Sequence, residues 1–129
     1  MDKTSKFIEV YGESITNKVI EYSLENQDID FAVPDMAKEI KISKPMVYAA
    51  VDELISKGII EKSRIIGKTQ LYKINKENNI SKIYIRNFKE CIDIVIDENT
   101  QMNNLYTQDK KVGVLAVNEK KEKYVKKKK

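Results

Sequence analysis

Enzymatic chemistry needs nucleophiles, titratable rings or converging carboxylates, and this sequence supplies few of them. It has no histidine and one cysteine. Histidine triads, histidine-bearing zinc sites and activated thiols therefore lack parts, and no Gly-x-Ser-x-Gly occurs. Cys91 stands among Phe88, Ile92 and Val95. It reads as a small buried hydrophobe with no intrachain disulfide partner; redox sensing is the alternative. The acid pairs Asp93/Asp97 and Asp97/Glu98 are expected to be solvent-facing charge, and nothing else supports a carboxylate-held metal. Gly67-Lys68-Thr69 looks like part of a phosphate loop, but that loop needs a glycine five residues earlier and a helix after it. Position 62 is Lys62, and Thr69 to Ile74 alternates like a strand. The chain is expected not to be an enzyme, and no cofactor or metal site is assigned.

Charge is the more informative property, once it is divided along the chain. The net charge of the 129 residues is +4. Residues 1–40 carry four Lys against nine acids, a net of −5, whereas residues 41–76 carry eight Lys or Arg against three acids, a net of +5. Residues 118–129 add seven Lys against Glu119 and Glu122, again +5. A polyanion would dock on the middle of the chain. The candidate contact residues there are Ser43, Lys44, Pro45, Tyr48, Ala49 and Asp52, followed by Arg64, Lys68, Thr69 and Gln70.

Regular elements must position these groups. From Ser5 to Asn26 the residues Phe7, Ile8, Tyr11, Ile15, Val19, Ile20 and Leu24 recur at helical spacing, with Gly12 expected to divide the stretch into two helices. Asp28 to Phe31 alternates and is expected to pair with a hairpin edge. Pro34 and Asp35 suit the first turn of a short helix through Lys41 that buries Met36, Ala37 and Ile40. Ser43 is a candidate N-cap for a helix to Lys57 with the stripe Val47, Ala50, Val51, Leu54 and Ile55, stopped by Gly58. Two short helices joined by a tight turn form a helix-turn-helix skeleton. Residues 59–64 and 69–74 read as strands of a hairpin turning through residues 65–68. Ile80, Ile83, Tyr84, Phe88, Cys91, Ile92, Val95 and Ile96 predict a long helix with more apolar surface than one small domain covers. Residues 99–111 are expected to be a linker, with a short helix as the alternative. Val112 to Val117 reads as a brief strand or apolar latch, and the Lys-rich end as disordered. No apolar run reaches the roughly 20 residues that cross a bilayer, and a cytoplasmic location is expected.

The segment Ile42-Ser43-Lys44-Pro45-Met46-Val47-Tyr48-Ala49-Ala50-Val51-Asp52-Glu53-Leu54-Ile55-Ser56-Lys57-Gly58-Ile59-Ile60 resembles the recognition-helix region of prokaryotic, archaeal-type winged helix-turn-helix regulators. The resemblance extends over residues 5–98 and is similar also to plasmid-partition adaptors. It implies a mainly α fold with a small β-hairpin: a winged helix-turn-helix at residues 1–77, a C-terminal dimerisation helix at 78–98, and a linker with a disordered basic tail at 99–129. It further implies a transcription regulator. Family members often carry Arg or His in mid-helix where this chain has Ala49 and Ala50, which argues against readout through arginine–guanine forks.

With helix 43–57 in the major groove, Ser43 and Lys44 would contact phosphates or base edges, Tyr48 would bond a phosphate or stack, and Ala49 would touch a thymine methyl. Pro45 shapes the helix start, and Asp52 completes the face. Tyr48 lies off the apolar stripe, which favours an exposed position over a core one. The wing at 59–74 would bring Arg64, Lys68, Thr69 and Gln70 to the minor groove; a merely solvated turn is the plainer alternative. Double-stranded DNA and a second copy of the chain are the expected partners, the latter through the long helix assisted by Phe7 and Tyr11. The leading expectation is an operator-binding repressor acting by occlusion. A DNA-segregation adaptor that spreads along DNA, or a chromatin-like binder, is the second. A winged-helix module for protein contacts is the third. No effector pocket is legible.

Overall fold

Gly12 divides the first amphipathic stretch as its spacing requires. In the computed structural model, which describes residues 4–106 and the side chains of residues 4–101, α1 (Lys6–Tyr11) stops at Gly12, whose φ of +100° only glycine adopts readily. The next helix is α2 (Ile15–Glu25). Ser5 and Ser14 cap these helices by accepting from the N–H groups of Ile8 and Asn17 at 3.2 and 3.0 Å. The Asn17 side-chain amide donates to the carbonyls of Tyr11 and Gly12, closing the open end of α1.

Strand β1 (Phe31–Ala32) leads directly into α3 (Val33–Ile40), with Pro34 in the first turn. Lys41 ends α3 in the left-handed region at φ 62°, and the Ile42 N–H reaches back to Ala37 O at 3.1 Å. That turn delivers the chain to α4 (Lys44–Ser56). Strands β2 (Ile60–Ile66) and β3 (Thr69–Ile74) form an antiparallel hairpin, and β1 joins its β3 edge to give the order β1-β3-β2. Phe31 pairs with Tyr72 and Ala32 with Leu71, so the predicted edge pairing forms at the end of the Asp28–Phe31 stretch and just beyond it. The core lies where the helices meet the sheet: Phe7, Ile20, Leu24, Met36, Val51, Leu54 and Ile60 are almost fully buried.

Helix α5 (Asn79–Tyr106) begins on an asparagine cap, with Asn78 Oδ1 accepting from the N–H groups of Ile80 and Ser81 at 2.8 and 3.1 Å. Two compact units divide the chain between Ile92 and Asp93, a boundary that falls inside this helix. In the first unit Tyr84 and Phe88 pack with Phe7 and Tyr11 as an aromatic cluster with ring centroids 4.7–6.3 Å apart. Phe7 is thus buried within its own chain rather than available to a second copy, while Val10 on the same helix is exposed. In the second unit α5 continues to Tyr106 instead of ending near Glu98. Residues 99–106 contain no Gly or Pro to stop it, and the apolar rhythm fades after Ile96 without ending the helix. Asp93 is buried and partnered, not solvent-facing, as a carboxylate taken out of water must be. The expected strand or latch at Val112 to Val117 and the expected disorder of the Lys-rich end lie outside the described residues.

Candidate nucleic-acid interface

The start of α4 is open to an anionic partner. Ser43 occupies the N-cap position, yet its hydroxyl makes no capping bond, and it is exposed together with Lys44 and Pro45. Val47 N–H is satisfied by Ser43 O at 3.0 Å. The N–H groups of Lys44 and Met46 belong to the first turn and have no intrahelical acceptor; Pro45 has no N–H to leave unsatisfied. Backbone donors, a hydroxyl and an ammonium group therefore cluster at the positive end of a helix dipole.

Along α4 the stripe Val47, Ala50, Val51 and Leu54 is buried, which turns Met46, Tyr48, Ala49, Asp52 and Glu53 outward. Tyr48 is 41% exposed and Met46 51%. Met46 was not among the predicted contacts, although the helical spacing that exposes Tyr48 exposes it equally. Glu53 is occupied at the inner margin, accepting from Thr16 Oγ1 at 3.4 Å and pairing with Lys57 at 3.2 Å.

The hairpin stands beside this face. Tyr72 of β3 is buried, and its hydroxyl is held above the usual phenol range chiefly by that burial and further by the Asp52 carboxylate. Helix α4 packs against β2, so the hairpin lies next to the helix. At the tip, Gly67 has φ 63° with no neighbour near its missing Cβ, and Lys68 does not share the positive φ. Glycine is needed there for conformation, not space, as in two-residue turns with only the first φ positive. Lys68 and Thr69 are exposed. Among the described residues no ion pair engages Lys44, Lys62 or Lys68.

The other two predicted wing contacts have structural partners. Between Lys62↔Tyr72 and Ile65↔Gln70 the register slips by one residue, a bulge at Ser63 and Arg64. Asp30, whose side chain is 15% exposed, accepts from Ser63 Oγ at 2.6 Å and from Arg64 Nε and Nη2 at 2.9 and 3.4 Å. The Arg64 and Ser63 hydrogen bonds hold the Asp30 carboxyl at a pKa of about 2. The Gln70 amide donates to Arg64 O and Leu71 O at 3.1 and 2.8 Å, bracing the bulge from the facing strand. Sequence spacing could not reveal this clamp, because Asp30 lies more than thirty residues away in the chain. Ile65 and Ile66, expected in the turn, instead extend β2 to the tip with their side chains in solvent. Among the described residues no group of three or more His, Cys, Asp or Glu could hold a metal ion, and no helix is long and apolar enough to cross a membrane.

A helix-turn-helix formed by α3 and α4, followed by a β-hairpin that borders the second of these helices, is a winged helix-turn-helix fold. The chain is similar to the adhesin competence repressor AdcR of Streptococcus pyogenes, at 14% identity and a TM-score of 0.55, covering 86% of this chain and 87% of that one. An apo mutant form of ZitR from Lactococcus lactis matches at 15% identity and a TM-score of 0.56, covering 91% and 89%. A mutant of MepR from S. aureus bound to an oligodeoxyribonucleotide matches at 16% identity and a TM-score of 0.52, covering 80% of each. No family model matches the sequence, and no curated protein matches it.

Proposed function

We propose that the chain binds double-stranded DNA sequence-specifically as a homodimeric transcription regulator, with α4 in the major groove and the β2–β3 wing at the minor groove. One observation carries this reading: Ser43, Lys44 and Tyr48 are exposed along the outer face of a helix that packs beside a hairpin carrying exposed Lys68, within a segment, residues 41–76, of net charge +5. A helix of this size fits the major groove, and its N-terminal residues approach base edges and phosphates. Two of the structural matches bear on the same reading by their own descriptions, one a repressor and one holding an oligodeoxyribonucleotide.

Pairing rests on α5. Tyr84, Phe88 and Cys91 face their own core, and the same three- and four-residue spacing continues as Ile92, Val95 and Ile96, which are exposed. Ile80 is exposed as well, and Ile83 is exposed on the side of the helix opposite Ile92. Covering such a row is a strong reason for a second copy to bind, and a twofold pair would place two α4 helices on half-sites about 34–36 Å apart. Occlusion of promoter sequence by this dimer is the simplest mode of action.

The test is binding to duplexes selected from random sequence at a stated salt concentration. Lys44→Ala with Lys68→Ala should lower the slope of log affinity against log salt by about 2, one per lost phosphate contact. Lys44→Glu with Lys68→Glu should abolish selection; unchanged DNA binding by that variant would leave the protein-contact module as the better reading. A sedimentation mass of one chain at micromolar concentration would remove the dimer.

A further inference from the structure

The wing tip carries two of the most exposed large apolar side chains among the described residues, Ile65 at 65% and Ile66 at 54%. They are consecutive in β2, and successive strand side chains point to opposite faces. The tip is therefore apolar on both sides of the ribbon. A flat partner would cover one isoleucine and leave the other in water, whereas a slot would cover both.

The tip is also built to hold its shape. Ser63 and Arg64 form the bulge below it, clamped by Asp30 from the β1 side and by Gln70 from β3. Bulges re-aim the residues that follow them, and here those residues are Ile65 and Ile66. The same clamp ties the Arg64 guanidinium to Asp30 at the base of the tip, so Ile65 and Ile66 stand beyond the arginine. Exposed Lys62 and Lys68 bracket the two isoleucines and give the tip a positive rim around an apolar centre. That pattern complements a groove with phosphate edges and an apolar floor of sugars and stacked bases.

From this geometry, and resting on the DNA-binding reading above, we infer that Ile65 and Ile66 enter the minor groove as an apolar wedge that opens a base step and bends the duplex. The groove is only about 6 Å wide, too narrow for a two-stranded ribbon with isoleucines on both faces, so entry requires widening it. Pyrimidine–purine steps such as TA and CA/TG deform most easily and would be preferred beneath the tip. The wing then contributes specificity through deformability rather than through hydrogen bonds to base edges.

The experiment uses the full chain and a duplex selected by it from random sequence, with dyes at both ends so that energy transfer reports the bend. Ile65→Ser with Ile66→Ser should melt at the wild-type temperature, since both side chains are already in water. It should bind about tenfold more weakly, lose the bend, and keep the wild-type salt slope because no cation is removed. Lys68→Ala should show the converse, a shallower slope with the bend retained. Ile65→Leu with Ile66→Leu should restore affinity and bend. Wild-type bend and affinity in the serine variant would overturn the wedge while leaving DNA binding intact. Loss of self-association in that variant, with DNA affinity per dimer unchanged, would overturn it in favour of a protein contact. Failure of the wild-type chain to select any duplex would instead remove the DNA-binding reading itself.

Discussion

Asp30 shows how one carboxylate sets the form of the wing. Its pKa of about 2 lies below the roughly 3.9 of an unfolded aspartate, so its ionised form is favoured by folding. A depressed carboxylate stabilises fully above the unfolded value and ceases to do so as pH falls through the folded one. The melting temperature of the wild type should therefore exceed that of Asp30→Asn at pH 6, and the gap should close between about pH 4 and pH 2. A gap that persists unchanged at pH 2 would mean that the ionised bonds to Arg64 and Ser63 are not its source. Arg64→Lys should not substitute, because a lysine cannot reproduce the forked pair of N–H donors. Cys91 is the converse case: burial pushes its thiol up from the usual range. It should react with a thiol reagent at pH 8 far more slowly in the native chain than in urea; equal rates would contradict its packing.

Among the elements, the junction after α4 ties that helix to the start of α5. Gly58 has φ 79°, and a Cβ there would meet Asn78 Nδ2 at 2.6 Å. Asn75 Nδ2 donates to Gly58 O, and the Asn75 N–H and Ser81 Oγ both donate to Ile59 O. Gly58→Ala would strain the backbone and push the asparagine that caps α5, at a cost of about 1–3 kcal/mol by urea unfolding. Asn78→Ala should cost about 1 kcal/mol through loss of the cap alone. Gly67→Ala meets no neighbour and should cost only the strain of its positive φ, so a larger loss at Gly67 than at Gly58 would refute this account. The same elements show why an apolar rhythm locates helices better than their ends. The stripe in α4 fixed which side faces the core, but in α5 burial ends at Asp93, the apolar rhythm runs on to Ile96, and the backbone continues to Tyr106.

For the molecule as a whole, the proposed pairing and DNA binding make predictions for the apolar row on α5 and for the charge distribution. Ile92→Glu places a charge on a side chain that is exposed in the single chain, so it should leave the fold intact and lower the sedimentation mass to one chain at micromolar concentration. It should also make DNA binding steeper in protein concentration, because pairing would then occur only on the DNA. Removing residues 118–129, with their net charge of +5, should flatten the salt dependence of binding and leave sequence preference unchanged. An unchanged slope would exclude a DNA role for that segment.

The sequence by itself determined the order of helices and strands, the division at Gly12, the inward stripe of α4 and the exposure of Lys44, Tyr48 and Lys68. These follow from local spacing, capping residues and glycine stops, which neighbouring residues dictate. Tertiary structure decided what those local rules cannot reach: that Asp30 pairs with Arg64, that Gln70 braces a bulge, that Phe7 is buried against α5, and that Ile65 and Ile66 project instead of turning. The Asp30–Arg64 pair and the burial of Phe7 join residues distant in the chain, while the Gln70 brace and the projection of Ile65 and Ile66 follow from a strand register that the residue types of the hairpin do not spell out.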